Sequence, residues 1–393
     1  MSDVARLRSW LGEGRLVPVR IDAPGTVHLG RALAHLCGVS GIELDAPARR
    51  IAGAVGPADH YVFVLVDGLG MNLVETLAAG SFLRSRVAME LRSVHPSGTP
   101  SGLTSLATGL WPGVHGVVGW YEYFAGRDLS VITLPFVERF NKRPLSTHGV
   151  FGRDLFPARS RLAQMDRDVA SFVPREINGT VYSRYFAGDQ PGYGYSTLPK
   201  AVRDVARHIE RATRPTYTYL YVPFVDQAEH AHGVFSRETR QALAMVDAEL
   251  SRLGEGAPAG TRIVVTADHG QIDVADADTC ELPDDDRMLG LLRAAPSGDP
   301  RVPLFHVQPG REAAFEAMFR DRFGERFVLL TTDELVSIQL LGPSVSPRTR
   351  ALLGDYTAIP GTNSVLRHRP ESPMRAYHGG MAAGECQIPL IVA

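Results

Sequence analysis

Seven residues, Asp67, Thr99, Asp226, His230, Asp268, His269 and His378, stand in the order Asp…Thr…Asp-x3-His…Asp-His…His. They supply three carboxylates, three imidazoles and one hydroxyl, the donors that two divalent cations and a nucleophile need to cleave a phosphate ester. Each also has an ordinary explanation. Thr99 before Pro100 reads as a helix N-cap with proline at N1, and a hydroxyl at a helix N-terminus also faces unpaired N–H groups that favour a phosphoryl oxygen. Asp67 before Gly68 reads as a turn after a strand, and Asp268-His269-Gly270 as a strand-to-turn sequence. Asp226 and His230, four apart, share one face if a helical turn follows their strand. The same spacing favours His230 over His232 as a ligand. His378 precedes Gly379-Gly380, a flexible turn that lets backbone come close to a metal.

Three apolar runs must position these donors. Tyr61–Val66 is a short continuous run ending at Asp67, the pattern of a strand buried on both faces. Tyr219–Val225 ends at Asp226 and reads similarly, although Pro223 predicts that its last part is irregular or near an edge. Arg262–Ala267 ends at Asp268 and His269. Between them, Val202, Val205, Ala206 and Ile209, and then Leu243, Val246, Leu250 and Leu253, recur at helical spacing. Alternating strands and amphipathic helices predict an α/β architecture with a largely parallel sheet, in which ligands bind outside the carboxyl ends of the strands.

The 393 residues allow one large domain or a core with an insertion. Residues 1–55 are expected to be an N-terminal extension packing on the core, and 56–300 the catalytic α/β core. Residues 301–345 carry the pattern strand, helix over Glu312–Phe323, strand over Phe327–Leu330 and helix from Thr332, a small α+β insertion or cap. Residues 346–393 return to the core with the last candidate ligand. Gly254–Gly260 and Asp284-Asp-Asp286 read as surface loops.

A net charge of −2 gives no electrostatic case for a nucleic-acid polymer or an anionic membrane as partner. Cys37, Cys280 and Cys386 are far apart with no CxxC spacing, which argues against a disulfide framework or a cysteine zinc site. No run approaches about 18 apolar residues, and a soluble, cytoplasmic protein is expected.

The stretches VLVDGLG around Asp67, HPSGTPSGLTSLATGLWPGVHGVVGW around Thr99, VPFVDQAEHAHG around Asp226, VVTADHGQIDV around Asp268 and YHGG at His378 resemble the type I phosphodiesterase/nucleotide pyrophosphatase family of the alkaline phosphatase superfamily, in register from about residue 60 to the C-terminus. The resemblance implies an alkaline-phosphatase-like three-layer α/β/α sandwich. It implies that Asp226, His230 and His378 bind one metal ion and that Asp67, Asp268, His269 and the Thr99 hydroxyl surround another, with Zn2+ the usual metal. Thr99 would attack phosphorus to give a phosphothreonine intermediate, which water then releases, in the hydrolysis of a small phosphate-ester substrate. One position departs from the family pattern: Trp120 in His115-Gly-Val-Val-Gly-Trp120 stands where nucleotide pyrophosphatases usually carry an asparagine that steadies a phosphoryl oxygen. Trp120, Tyr121 and Tyr123 are candidates to stack on a base or aryl group. Alternatives are a phosphomonoesterase, phosphonate hydrolase or phosphomutase of the same superfamily, and a non-catalytic metal- or nucleotide-binding protein.

Overall fold

The computed structural model describes residues 1–369 and 374–393, so the expected return segment 346–393 is covered except at 370–373. Among these residues a seven-stranded sheet runs in the order Val87–Arg92, Gln387–Val392, Thr261–Thr266, His60–Val66, Thr216–Val222, Asp168–Pro174, Gly192–Tyr195. Only Gln387–Val392 pairs antiparallel; the other pairings are parallel. Helices Thr26–Leu36, Ala46–Val55 and Thr99–Thr108 pack together, and Leu198–Glu210, Phe224–His232 and Arg237–Gly256 form a second group. The result is the alkaline-phosphatase-like three-layer α/β/α sandwich. The middle strand is apolar because both faces of the sheet are covered: Tyr61 to Val66 are all buried.

Three of the expected strands lie side by side in this sheet. His60–Val66 is flanked by Thr216–Val222 and Thr261–Thr266, with Leu65 opposite both Tyr221 and Thr266. Parallel neighbours in that register finish at one edge. Of the two roles expected for Pro223, the edge position does not hold, since the strand is central; the strand does break off before it, ending at Val222, and the proline, which has no N–H to donate, leads directly into helix Phe224–His232. The helical periodicities are found in Leu198–Glu210 and Arg237–Gly256, the second running into the stretch expected to be a loop from Gly254.

The α+β excursion is larger than 301–345. A second seven-stranded sheet has the order Phe327–Thr331, Tyr356–Pro360, Val302–Phe305, Ser297–Asp299, Tyr121–Phe124, Leu129–Ile132, Val137–Glu138. It thus recruits a segment near Thr99 and one beyond residue 345, through antiparallel pairings that no local pattern announces. Helix Glu312–Phe323 packs here in a phenylalanine-rich cluster with Phe305, Phe327 and Tyr356. Residues 1–55 divide between the two sheets: helix Asp3–Gly12 lies on strand Phe327–Thr331, while Thr26–Leu36 packs on the Thr99 helix.

Candidate metal centre and cavity

Each candidate donor reaches the site from the end of a buried element. Asp67 follows its strand directly, and its backbone N–H donates to Val222 O at 3.0 Å while its carbonyl accepts from Asp226 N at 3.1 Å. Those two bonds lock the first strand's exit to the first turn of helix Phe224–His232, where Asp226 sits. One turn on, His230 places Nε2 3.3 Å from Asp226 Oδ1. Its Nδ1–H donates to Ala376 O at 2.8 Å, which leaves Nε2 as the nitrogen turned to the site. His269 puts Nε2 3.4 Å from Asp67 Oδ1 and 3.6 Å from Asp268 Oδ2. The His378 ring stacks on that of His269 with centroids 3.7 Å apart, and lies 5.1 Å from the ring of His230.

Thr99 is one residue further into its helix than expected. Gly98 is the N-cap, without a side-chain cap, and Thr99 is the first helical residue. Its hydroxyl is therefore not consumed in capping, and lies 3.0 Å from His269 Nε2.

Among the described residues, two groups of donors each fall within 4.8 Å of one another: Asp226, His269 and His378, and Asp67, Asp268 and His269. His230 stands outside both groups and reaches them only through its contact with Asp226, whereas His232 is exposed and lines a separate surface hollow. The electrostatics fit divalent cations. Asp67 Oδ1, Asp268 Oδ2 and His378 Nδ1 are buried with no hydrogen-bond partner, each a group costly to bury unpaired. Burial, reinforced by Asp268 and Asp226, holds the Asp67 carboxyl well above its usual range, and burial also raises Asp268. Burial and the neighbouring imidazoles of His269 and His230 hold His378 well below, so it stays a neutral imidazole. Asp226 moves the other way: burial pushes it up, but its ion-pair and hydrogen-bond contact with His230 outweighs that and brings it down.

Supporting groups that sequence reasoning missed surround these donors. Tyr221 donates its hydroxyl to Asp67 Oδ2, and Gln271 Nε2 donates to Asp226 Oδ1 at 2.6 Å. Both lie inside or beside the motif stretches, Tyr221 five residues before Asp226 and Gln271 two after His269, so position alone could have flagged them. Asp299 could not be found that way, since it comes from the second sheet. Its Oδ1 accepts from Trp120 N at 3.1 Å, Oδ2 is buried without a partner, and burial pushes the carboxyl up to about 7.

A cavity of about 620 Å³ opens over Thr99, Asp67, Asp226, His230 and His378. Trp120 and Tyr121 line it, together with Leu103, Tyr182, Phe186 and Tyr219. Tyr123, expected beside them, is turned elsewhere: its hydroxyl bonds Asp128 Oδ1 at 2.8 Å and its ring packs edge-on against His306.

The model of the family described as type I phosphodiesterase/nucleotide pyrophosphatase matches residues 61–319. No curated protein matches the chain. Among solved structures, human ectonucleotide pyrophosphatase/phosphodiesterase 5 aligns with a TM-score of 0.64 at 14% identity, over 84% of this chain and 87% of that one. The murine protein, solved as an inactive variant with AMP, aligns over the same shares with a TM-score of 0.63 at 14% identity. Phosphonoacetate hydrolase from Sinorhizobium meliloti 1021, in complex with phosphonoformate, gives 0.58 at 19% identity, over 86% and 90%. At these identities the likeness is one of fold. Among the described residues no helix is long and apolar enough to cross a membrane.

Proposed function

We propose that this chain, which belongs to the type I phosphodiesterase/nucleotide pyrophosphatase family of hydrolases, cleaves phosphodiester or pyrophosphate bonds of small, nucleotide-type substrates, with Thr99 as nucleophile beside two divalent cations, most simply Zn2+. The observation that carries the reading is the Thr99 hydroxyl, uncommitted to capping, at the floor of a cavity and 3.0 Å from His269 Nε2 in the middle of both donor groups. Asp226, His230 and His378 would hold one cation, and Asp67, Asp268 and His269 the other, with Thr99 beside it. Mixed carboxylate and imidazole donors suit zinc. When bound, such ions neutralise phosphoryl oxygens and lower the pKa of a coordinated hydroxyl.

The chain's own residues set the rest of the chemistry. Thr99 attacks phosphorus from the first helical position, where the helix N-terminus favours the phosphoryl oxygens. The P–O bond to the leaving group breaks as the bond from the Thr99 hydroxyl oxygen to phosphorus forms, and water carries the proton lost by Thr99 to the departing oxygen. The phosphothreonine is then hydrolysed by water. Gln271 and Tyr221 fix the Asp226 and Asp67 carboxylates in place. The cavity, about 620 Å³ and walled by Trp120, Tyr121 and other aromatic and apolar side chains, suits an organic leaving group of nucleotide size.

A monoanionic diester fits this site better than a dianionic monoester. Arg139 and Arg367 line the cavity, but Arg139 donates to Pro296 O and His368 O, and Arg367 is engaged by Glu281 and Tyr377. Asp299 adds a carboxyl to the same wall. We expect higher kcat/KM for a phenyl or nucleotide nitrophenyl diester than for nitrophenyl phosphate, at matched zinc and pH. A clear monoester preference overturns the diesterase reading in favour of a phosphatase. We also read the protein as cytoplasmic, since its three cysteines are unpaired and two of them are buried.

A further inference from the structure

Beneath the metal centre lies an ion pair that the proposed chemistry does not use. Arg301 and Glu385 are both wholly buried, and meet in a two-pronged contact, Nε to Oε1 and Nη2 to Oε2, each 2.9 Å. Arg301 comes from the turn between strands Ser297–Asp299 and Val302–Phe305 of the second sheet, and Glu385 from the short helix Ala383–Cys386 of the core. The remaining guanidinium nitrogen, Nη1, donates to Thr362 O at 2.8 Å and Ser364 O at 2.7 Å. A buried pair of this kind recovers its desolvation cost poorly, and apolar residues of similar size often replace it without loss of stability. Stability alone is therefore a weak account of it.

Position is a better one. Glu385 Oε1 accepts from Gly380 N at 2.8 Å and Oε2 from Ala382 N at 2.9 Å. Its backbone carbonyl accepts from Gly270 N at 3.0 Å, next to His269. Ser97, two residues before Thr99, donates its hydroxyl to Gly380 O at 2.8 Å and its N–H to Gly379 O at 3.3 Å. The loops that carry His378 and His269 thus meet on Glu385, and the loop before Thr99 is tied to the first of them through Gly379 and Gly380. Gly380 lies directly on the pair: a Cβ there would come within 2.7 Å of Glu385 Oε2 and 2.8 Å of Arg301 Nη2.

We propose that Arg301 and Glu385 are the positioning pair of the metal centre. They hold the loop after His378 so that its imidazole reaches the site, and they reference that loop to the second sheet, whose Pro300 and Pro303 wall the cavity. This rests on the metal-dependent reading above. The test compares wild type with Arg301→Met/Glu385→Leu, an apolar pair that removes the acceptors for Gly380 and Ala382, and with Glu385→Gln, which changes one acceptor to a donor. Zinc affinity is read by competition with a chromophoric chelator. Amide exchange over residues 376–386 is read by mass spectrometry on the metal-free proteins. The expected result is a folded double variant in which one of two zinc ions binds at least tenfold more weakly and residues 378–382 exchange at least tenfold faster, with Glu385→Gln intermediate. Affinity and exchange within threefold of wild type overturn the proposal. If the double variant does not fold, Glu385→Gln decides by the same two readouts. Failure of wild type to bind zinc sinks the metal-dependent reading separately, and the exchange result still decides whether the pair holds the loop.

Discussion

Replacing Asp67 by asparagine should stabilise the metal-free protein and destabilise the zinc-loaded one relative to wild type. Asp67 is 2% exposed; its Oδ2 takes the Tyr221 hydroxyl, while Oδ1 has no partner and faces His269 Nε2 at 3.4 Å. In Asp67→Asn the amide oxygen keeps the tyrosine bond, and the site loses one of its three crowded carboxylates. A buried, unpartnered oxygen costs about 1–3 kcal/mol, and crowding by Asp226 and Asp268 adds to it. At about 2 °C per kcal/mol for a chain of this size, Tm in excess chelator should rise by roughly 2–6 °C. Zinc reverses the order. At a free concentration about a thousand times Kd, one site contributes about 4 kcal/mol, or about 8 °C, which wild type gains and the variant largely loses. Thermal melts with chelator and with a zinc series, alongside metal analysis, give both numbers. A variant that melts lower than wild type in chelator, or that keeps the full zinc-induced rise, refutes the assignment of Asp67 as a ligand held in an electrostatically crowded site.

Thr99→Ala should lower turnover by about a thousandfold or more while metal content per chain stays close to wild type, because it removes the attacking oxygen but leaves the carboxylates and imidazoles; a residual rate above about a tenth would point to direct attack by water. Glu122 is buried with Oε2 unpartnered, and burial pushes its carboxyl from 4.5 up to about 8. The folded form holds the proton that the unfolded chain has released, so this group's contribution to stability falls as pH rises from 4.5 to about 8 and is level above. The loss is on the order of 5 kcal/mol. Glu122→Gln, which keeps the Val118 N–H bond, should flatten that slope in denaturant melts across this range. Gly270→Ala should destabilise by about 1–3 kcal/mol and weaken zinc binding by moving His269, since a Cβ would fall 2.3 Å from Gly384 O and 2.7 Å from Gly70 Cα; chemical denaturation and chelator competition read the two effects.

The order of donors, the strands that present them and the helices between are local properties, and so were legible without coordinates. Tyr61–Val66 and Arg262–Ala267 are short, β-branched and largely apolar runs of the kind that fill a buried sheet, and a four-residue spacing brings Asp226 and His230 to one face as soon as a helix follows. Thr99-Pro100 marked a helix start to within one residue; which of Gly98 and Thr99 caps it depended on the hydroxyl finding His269, a partner 170 positions away. What pairs at long range was not legible. The sequence does not say that Thr261–Thr266 and Thr216–Val222 flank His60–Val66 in register, nor that Tyr123 turns to Asp128 while Tyr121 stays on the cavity. Nor does it say that residues 121–138 join 297–360 in one sheet, or that Arg301 and Glu385 meet 84 positions apart under His378. Those contacts depend on which buried surfaces and unpaired polar groups are complementary once the chain has collapsed. That complementarity between distant segments has no periodicity along the chain, so only the tertiary structure decides it.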